Sequence, residues 1–192
     1  MANTAFEVRV SNNEWDNLCN ITGKYKVSSD YADCAAGTLC VRGDKLPCEG
    51  FTGVYNDNAY VMGAAASTAT INDVVYACNT YDSQQVSNGV NAWHVGRQTL
   101  GLPVLAGEYG TFTKIVFNGE NIYRFGVGNT DDVGVSDYYT IDDGALKHAA
   151  SAPTTAGAVY FEVIGTGKFT EGTSASFGYI DVRACANIIA TA

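Results

Sequence analysis

Residues 158–164 read Ala158-Val159-Tyr160-Phe161-Glu162-Val163-Ile164 and are closed off by Gly165. Five β-branched or aromatic side chains in seven positions lose rotamer freedom in a helix and pack well on a pleated surface. The stretch therefore reads as a strand. A second such run, Tyr179 to Ala184, follows the Gly/Ser/Thr-rich segment Gly165 to Ser176, which reads as a linker. The same grammar recurs upstream in Phe6-Glu7-Val8-Arg9-Val10, Lys24-Tyr25-Lys26-Val27, Thr38-Leu39-Cys40-Val41, Tyr60-Val61-Met62, Val74 to Cys78 and Trp93-His94-Val95. Strand-like runs between turn residues predict an all-β chain, a β-sandwich or barrel-like domain with a short N-terminal extension and little helix.

Two local readings sharpen that picture. Phe112 to Phe117 and Ile122 to Phe125 flank Asn118-Gly119, a pair that accepts positive φ, and so predict a β-hairpin. Asp142 to Ala150, with Leu146 and Ala149 on one face, has the composition of a short helix. Ser11 to Leu18, with Trp15 and Leu18 at helical spacing, allows one or two further turns. No fixed-period repeat occurs.

The chain has 192 residues, the size of one ordinary domain. A globule of this length buries about 70% of its unfolded surface and needs no disulfides merely to fold. Residues 1–50 hold four of the six cysteines and are expected as an N-terminal, Cys-containing arm, with 51–192 as the β domain.

Charge narrows the partners. Eleven Lys+Arg against 20 Asp+Glu give a net charge of −9, and the cations are scattered. Nucleic-acid binding needs a cationic stripe to displace counterions, so nucleic acid and anionic membrane are poor partners for this surface. No window approaches the ~18 apolar residues of a membrane-spanning helix. The opening Met1-Ala2-Asn3-Thr4-Ala5 lacks the basic and apolar regions of a secretory leader, which predicts synthesis in the cytoplasm.

Cys19, Cys34, Cys40, Cys48, Cys78 and Cys185 are expected as free, buried thiols in a reducing compartment. Disulfides formed after release are the next reading. Metal is the weakest, because no Cys-x-x-Cys occurs and the gaps from Cys34 to Cys40 and Cys48 are wide.

Catalytic signatures are sparse. His94 lies in an apolar strand and His148 follows Lys147 in the helical candidate; no Gly-x-Ser-x-Gly elbow presents a nucleophile. Gly165-Thr166-Gly167-Lys168 lacks the earlier glycine and the Ser/Thr of a phosphate loop, and Gly126-Val127-Gly128 ends at Asp131 where a dinucleotide fingerprint needs glycine. Asp131-Asp132 and Asp142-Asp143 read as turn chemistry, with Ca²⁺ binding as the alternative. Arg42-Gly43-Asp44 reads as a tight turn, and the Asn20-Ile21-Thr22 sequon matters only in a secretory lumen. No catalytic residue, cofactor or metal ligand is predicted.

The opening segment Ala2-Asn3-Thr4-Ala5-Phe6-Glu7-Val8-Arg9-Val10, continuing through Lys24-Tyr25-Lys26-Val27-Ser28-Ser29-Asp30-Tyr31, resembles small virion proteins of tailed bacteriophages, the capsid decoration or cement proteins. The resemblance covers roughly the first 50 residues and contains no diagnostic motif. It implies a compact, β-rich, leaderless and non-enzymatic virion protein that binds the major capsid protein or copies of itself. Phe6, Val8 and Val10 are then expected as a strand that reaches a neighbour's sheet, with Trp15 as an anchor. The alternative is that this strand closes the protein's own sheet. A second functional class, a carbohydrate- or surface-binding module of the fibre or adhesin kind, is suggested by the tyrosine-rich strands, which leaves a glycan as a possible ligand.

Overall fold

The structure is a computed structural model that describes residues 6–10, 20–48, 50–79, 103–127, 137–171 and 175–188. Twelve strands occur among the described residues and no helix. They are β1 (Phe6–Val10), β2 (Asn20–Val27), β3 (Asp30–Tyr31), β4 (Leu39–Pro47), β5 (Tyr55–Ala64) and β6 (Val75–Asn79). The second half supplies β7 (Gly110–Lys114), β8 (Ile122–Val127), β9 (Tyr138–Asp142), β10 (Ala145–Ala149), β11 (Val159–Glu171) and β12 (Ala175–Ala186). No helix among these residues is long and apolar enough to cross a membrane.

The strands form two six-stranded sheets. The first runs β1-β8-β12-β11-β9-β10 and is antiparallel throughout. Alternation along it is strict: Phe161 and Val163, Ile180 and Val182, and Tyr123 and Phe125 point into the core, while Glu162, Asp181, Arg183 and Arg124 face outward. The second sheet runs β3-β2-β5-β4-β6-β7, and an added β2–β7 pairing brings its ends together. Strands β2, β5, β4, β6 and β7 therefore make a small closed barrel, with β2 parallel to β5 and the other pairs antiparallel.

Strand β6 lies against both cores. Val75 and Ala77 join the layer between barrel and first sheet, whereas Tyr76 and Cys78 point into the barrel. Leu39 and Cys40 divide in the same way on β4. A strand covered on both sides shows no polar alternation, as the run Val75-Tyr76-Ala77-Cys78 records.

Several expectations change. The Asn118-Gly119 turn exists, with Gly119 at φ 76 and the Asn118 side chain accepting from the Glu120 and Asn121 amides. It joins no hairpin, however: β7 belongs to the barrel and β8 to the first sheet. Gly119 instead donates to the Ala184 carbonyl at 2.8 Å, and the Val116 amide donates to the Tyr123 hydroxyl at 3.0 Å. The helix expected over 142–150 is absent. Its residues form the β9–β10 hairpin around Asp143 (φ 49) and Gly144 (φ 77), the mirror-image turn whose backbone twist matches paired strands. The linker expected over Gly165 to Ser176 is mostly strand, because β11 and β12 stay paired as far as Glu171 and Ala175.

Residues 1–50, the N-terminal Cys-containing region, supply β1 to the first sheet and β2, β3 and β4 to the second. The segment around Trp15, the Trp93-His94-Val95 run and Asp131-Asp132 lie outside the described residues.

Candidate functional site

Of the residues expected to reach a neighbour, Phe6, Val8 and Val10 lie on β1. Phe6 is 2% exposed and packs on Tyr123 and Phe125, with ring centroids 6.0 and 5.2 Å away. Val8 packs partly buried against the same core. Strand β1 pairs with β8 from Phe6↔Phe125 to Val10↔Ile122, so it closes the protein's own sheet and is its edge strand among the described residues. Trp15 and the side chain of Val10 lie outside what is described.

A different surface draws attention on physical grounds. Between β4 and β5 the chain makes a tip in which Gly50 and Gly53 take φ of 84 and 76. The Cys48 amide donates to the Val54 carbonyl at 2.8 Å, and the Phe51 amide to the Cys48 carbonyl at 3.2 Å. The Cys48 thiol reaches the Asn56 side-chain oxygen at 3.2 Å. These bonds hold the backbone while Phe51, Val54 and Tyr55 stand 68%, 49% and 56% exposed. Single exposed apolar residues are ordinary; here three large ones stand together on the turn and the first residue of β5.

The tip runs directly into a polar shelf. Thr22, Asn56, Asp57, Asn58, Ala59 and Tyr109 line a shallow, solvent-open depression of about 480 Å³. Beyond Tyr109 the surface continues as a cation–aromatic cluster. Lys24 Nζ stands 4.3 Å from the Tyr109 ring centroid and 5.7 Å from that of Tyr31, and Lys26 Nζ lies 4.6 Å from Tyr31. Asp57 is fully exposed with Lys45 at 3.7 Å, a pairing too well solvated to contribute much stability.

The outer face of the first sheet is organised differently. Arg124 and Asp181 oppose each other across β8 and β12 and form two parallel bonds of 2.7 Å, with the guanidinium 3.7 Å from the Tyr179 ring. Arg183 and Glu162 pair at 3.3 Å on the neighbouring rung. The two-pronged Arg124–Asp181 pair is the stronger and more directional of the two.

The remaining described candidates lie apart from the tip and shelf or in bulges and turns. His148 lies on β10, edge-on to the Tyr139 ring at 5.6 Å and 3.5 Å from Asp137. Asp142 pairs with Lys147 at 3.0 Å, and Asp143 occupies the hairpin turn. Arg42 stacks on Tyr60, centroid distance 4.8 Å, within a bulged part of β4 that includes Gly43 and Asp44. Among the described residues no group of three His, Cys, Asp or Glu is arranged to hold a metal ion. Among the described residues five cysteines carry free thiols; Cys34, Cys40, Cys78 and Cys185 are buried and Cys48 half-buried.

Sequence reasoning missed the tip. Its signal was present in Gly50-Phe51-Thr52-Gly53-Val54-Tyr55, two glycines bracketing an aromatic that the turn leaves no room to bury. No family model matches this chain, and no curated protein or solved structure is significantly similar to it.

Proposed function

We propose that the chain is a non-enzymatic structural protein of a tailed-phage virion, of the capsid decoration or cement kind, which docks on the major capsid protein through the tip and shelf. The observation that carries the reading is the exposure of Phe51, Val54 and Tyr55 on a hydrogen-bonded turn. Aromatic anchors on a rigid mount lose little entropy on docking and are the residues that dominate protein contacts. The resemblance of the opening segment to virion proteins supports the same direction. A shell presents many identical partners, so a modest contact per copy, summed over linked neighbours, is enough to hold it.

The test is co-sedimentation with undecorated capsids of a tailed phage. The wild-type chain should pellet with the shells, and Phe51→Ser with Tyr55→Ser should weaken binding at least about tenfold. Undiminished binding by the double variant would remove the tip from the reading. A wild-type chain that ignores the shells would remove the reading itself.

The depression beside Tyr109 favours one second reading, a carbohydrate- or surface-binding module. Hydroxyl, amide and carboxylate groups beside an exposed ring are the complement a sugar uses, with its polar edge and apolar face. A glycan array probed with and without a calcium chelator tests it, and silence in both conditions eliminates it.

A further inference from the structure

Three cysteines distant in sequence converge inside the barrel. Cys34, Cys40 and Cys78 are each fully buried and share a core with Ile21, Tyr25, Met62 and Phe112. Cys40 faces Tyr76 across β4 and β6, which puts it diagonal to Cys78 on the same face. Cys34 sits over both. Its amide and carbonyl are tied to Val104 at 2.8 and 2.9 Å, and its own carbonyl lies 3.8 Å from the Cys78 thiol. The loop that follows is pinned by the Gly37 amide on the Cys78 carbonyl at 2.8 Å. The Cys40 thiol turns to the Thr38 carbonyl at 3.5 Å, beside Cys34 and Cys78 in the same core.

Buried cysteine behaves as a small hydrophobe, and one such residue needs no explanation. Three buried thiols in one small core, from a loop and two strands, offer a reaction that none offers alone. We propose that Cys34 is a peroxide-reactive thiol that closes an intramolecular disulfide with one of its two neighbours, Cys40 or Cys78, stapling the barrel from within.

The chemistry closes with hydrogen peroxide as the only co-reactant. The Cys34 thiolate attacks one peroxide oxygen; the O–O bond breaks, hydroxide leaves and takes a proton as water, and Cys34 becomes a sulfenic acid. The neighbouring sulfur then attacks Cys34, the S–O bond breaks, and the hydroxide that departs takes the neighbour's proton as a second water. Two thiols are oxidised to one disulfide and one peroxide is reduced to two waters. The surroundings favour this division of roles. The neighbouring thiols Cys40 and Cys78 hold the Cys34 thiol well below its ordinary range, while burial and its interaction with Cys34 push Cys40 up. Peroxide is little larger than water, so the reaction needs only a brief opening of the wall.

The experiment treats the full chain with hydrogen peroxide, blocks residual thiols under denaturing conditions and maps the peptides by mass spectrometry. A Cys34–Cys40 or Cys34–Cys78 link is expected, with a melting temperature several degrees above that of the dithiothreitol-treated protein. Cys34→Ala should abolish both the link and the shift, whereas Cys40→Ala and Cys78→Ala should each retain a link to the remaining partner. The wild-type map requires no variant to fold, so it decides by itself. Three unlinked barrel thiols, oxidation confined to Cys48 or methionine, or only intermolecular links would overturn the proposal.

Discussion

Two buried tyrosines show how differently one side chain can be used. Tyr123 accepts the Val116 amide, whereas the buried Tyr139 hydroxyl has no hydrogen-bond partner among the described residues. Removing an acceptor strands a buried amide, but removing an unbonded hydroxyl relieves a desolvation cost. Tyr123→Phe should therefore cost about 1–2 kcal/mol and Tyr139→Phe should be neutral or slightly stabilising, as read by urea unfolding. Tyr25 provides the pH dependence. Burial, followed by the nearby thiols Cys40 and Cys34, pushes its phenol from the ordinary 10.0 up to about 12. The folded chain holds that proton at pH values where the unfolded chain has released it. The contribution is thus complete below pH 10 and is lost as pH rises towards about 12. Unfolding titrations in that window should show a shallower decline in Tyr25→Phe than in wild type; equal slopes would assign the decline elsewhere. Neither role was legible beforehand, since identical letters in identical strand patterns do not say which amide will lie opposite.

At the scale of elements, glycines decide where the two sheets meet and where the barrel shuts. Gly144 donates to the Ala65 carbonyl at 2.9 Å and accepts the Leu39 amide at 2.8 Å, so the β9–β10 turn latches the first sheet to the barrel wall. A Cβ there would stand 3.0 Å from the Leu39 carbonyl oxygen, on a backbone already at positive φ. Gly23 and Gly110 oppose each other where β2 meets β7, and a Cβ on Gly23 would drive into Met62 and come within 2.9 Å of the Tyr60 carbonyl. Gly144→Ala and Gly23→Ala should each lose about 1–3 kcal/mol in thermal or chemical unfolding. Gly63→Ala, whose Cβ would meet nothing within 4 Å, is the matched control. Asp143-Gly144 was readable as a hairpin signal, but the apolar spacing of Leu146 and Ala149 competed with it over too short a window. Asn118-Gly119 failed in the opposite sense: its turn chemistry is real, yet a turn reverses the chain without stating which sheet receives the next strand.

The whole molecule joins a small barrel to a six-stranded sheet through one shared core, and the exposed tip belongs to the barrel. Phe51→Ala should leave the unfolding midpoint within about 0.5 kcal/mol of wild type while reducing partner binding, because the ring is exposed and touches no core. Deleting residues 1–18 should instead destabilise the chain, since Phe6 fills part of that core. Loss of folded circular dichroism signal in the truncated chain separates this from a pure loss of docking. The all-β class, most of the strands and the excess of acidic residues could be read from the sequence, because side-chain period and turn residues act over a few neighbours. Partnership between strands required the tertiary structure. Closure of β2 onto β7, the position of Phe6 in the protein's own sheet, the exposed tip and the meeting of Cys34, Cys40 and Cys78 all join residues far apart in the chain. Such contacts are set by which faces can be buried together, a property of the assembled molecule that no local stretch contains.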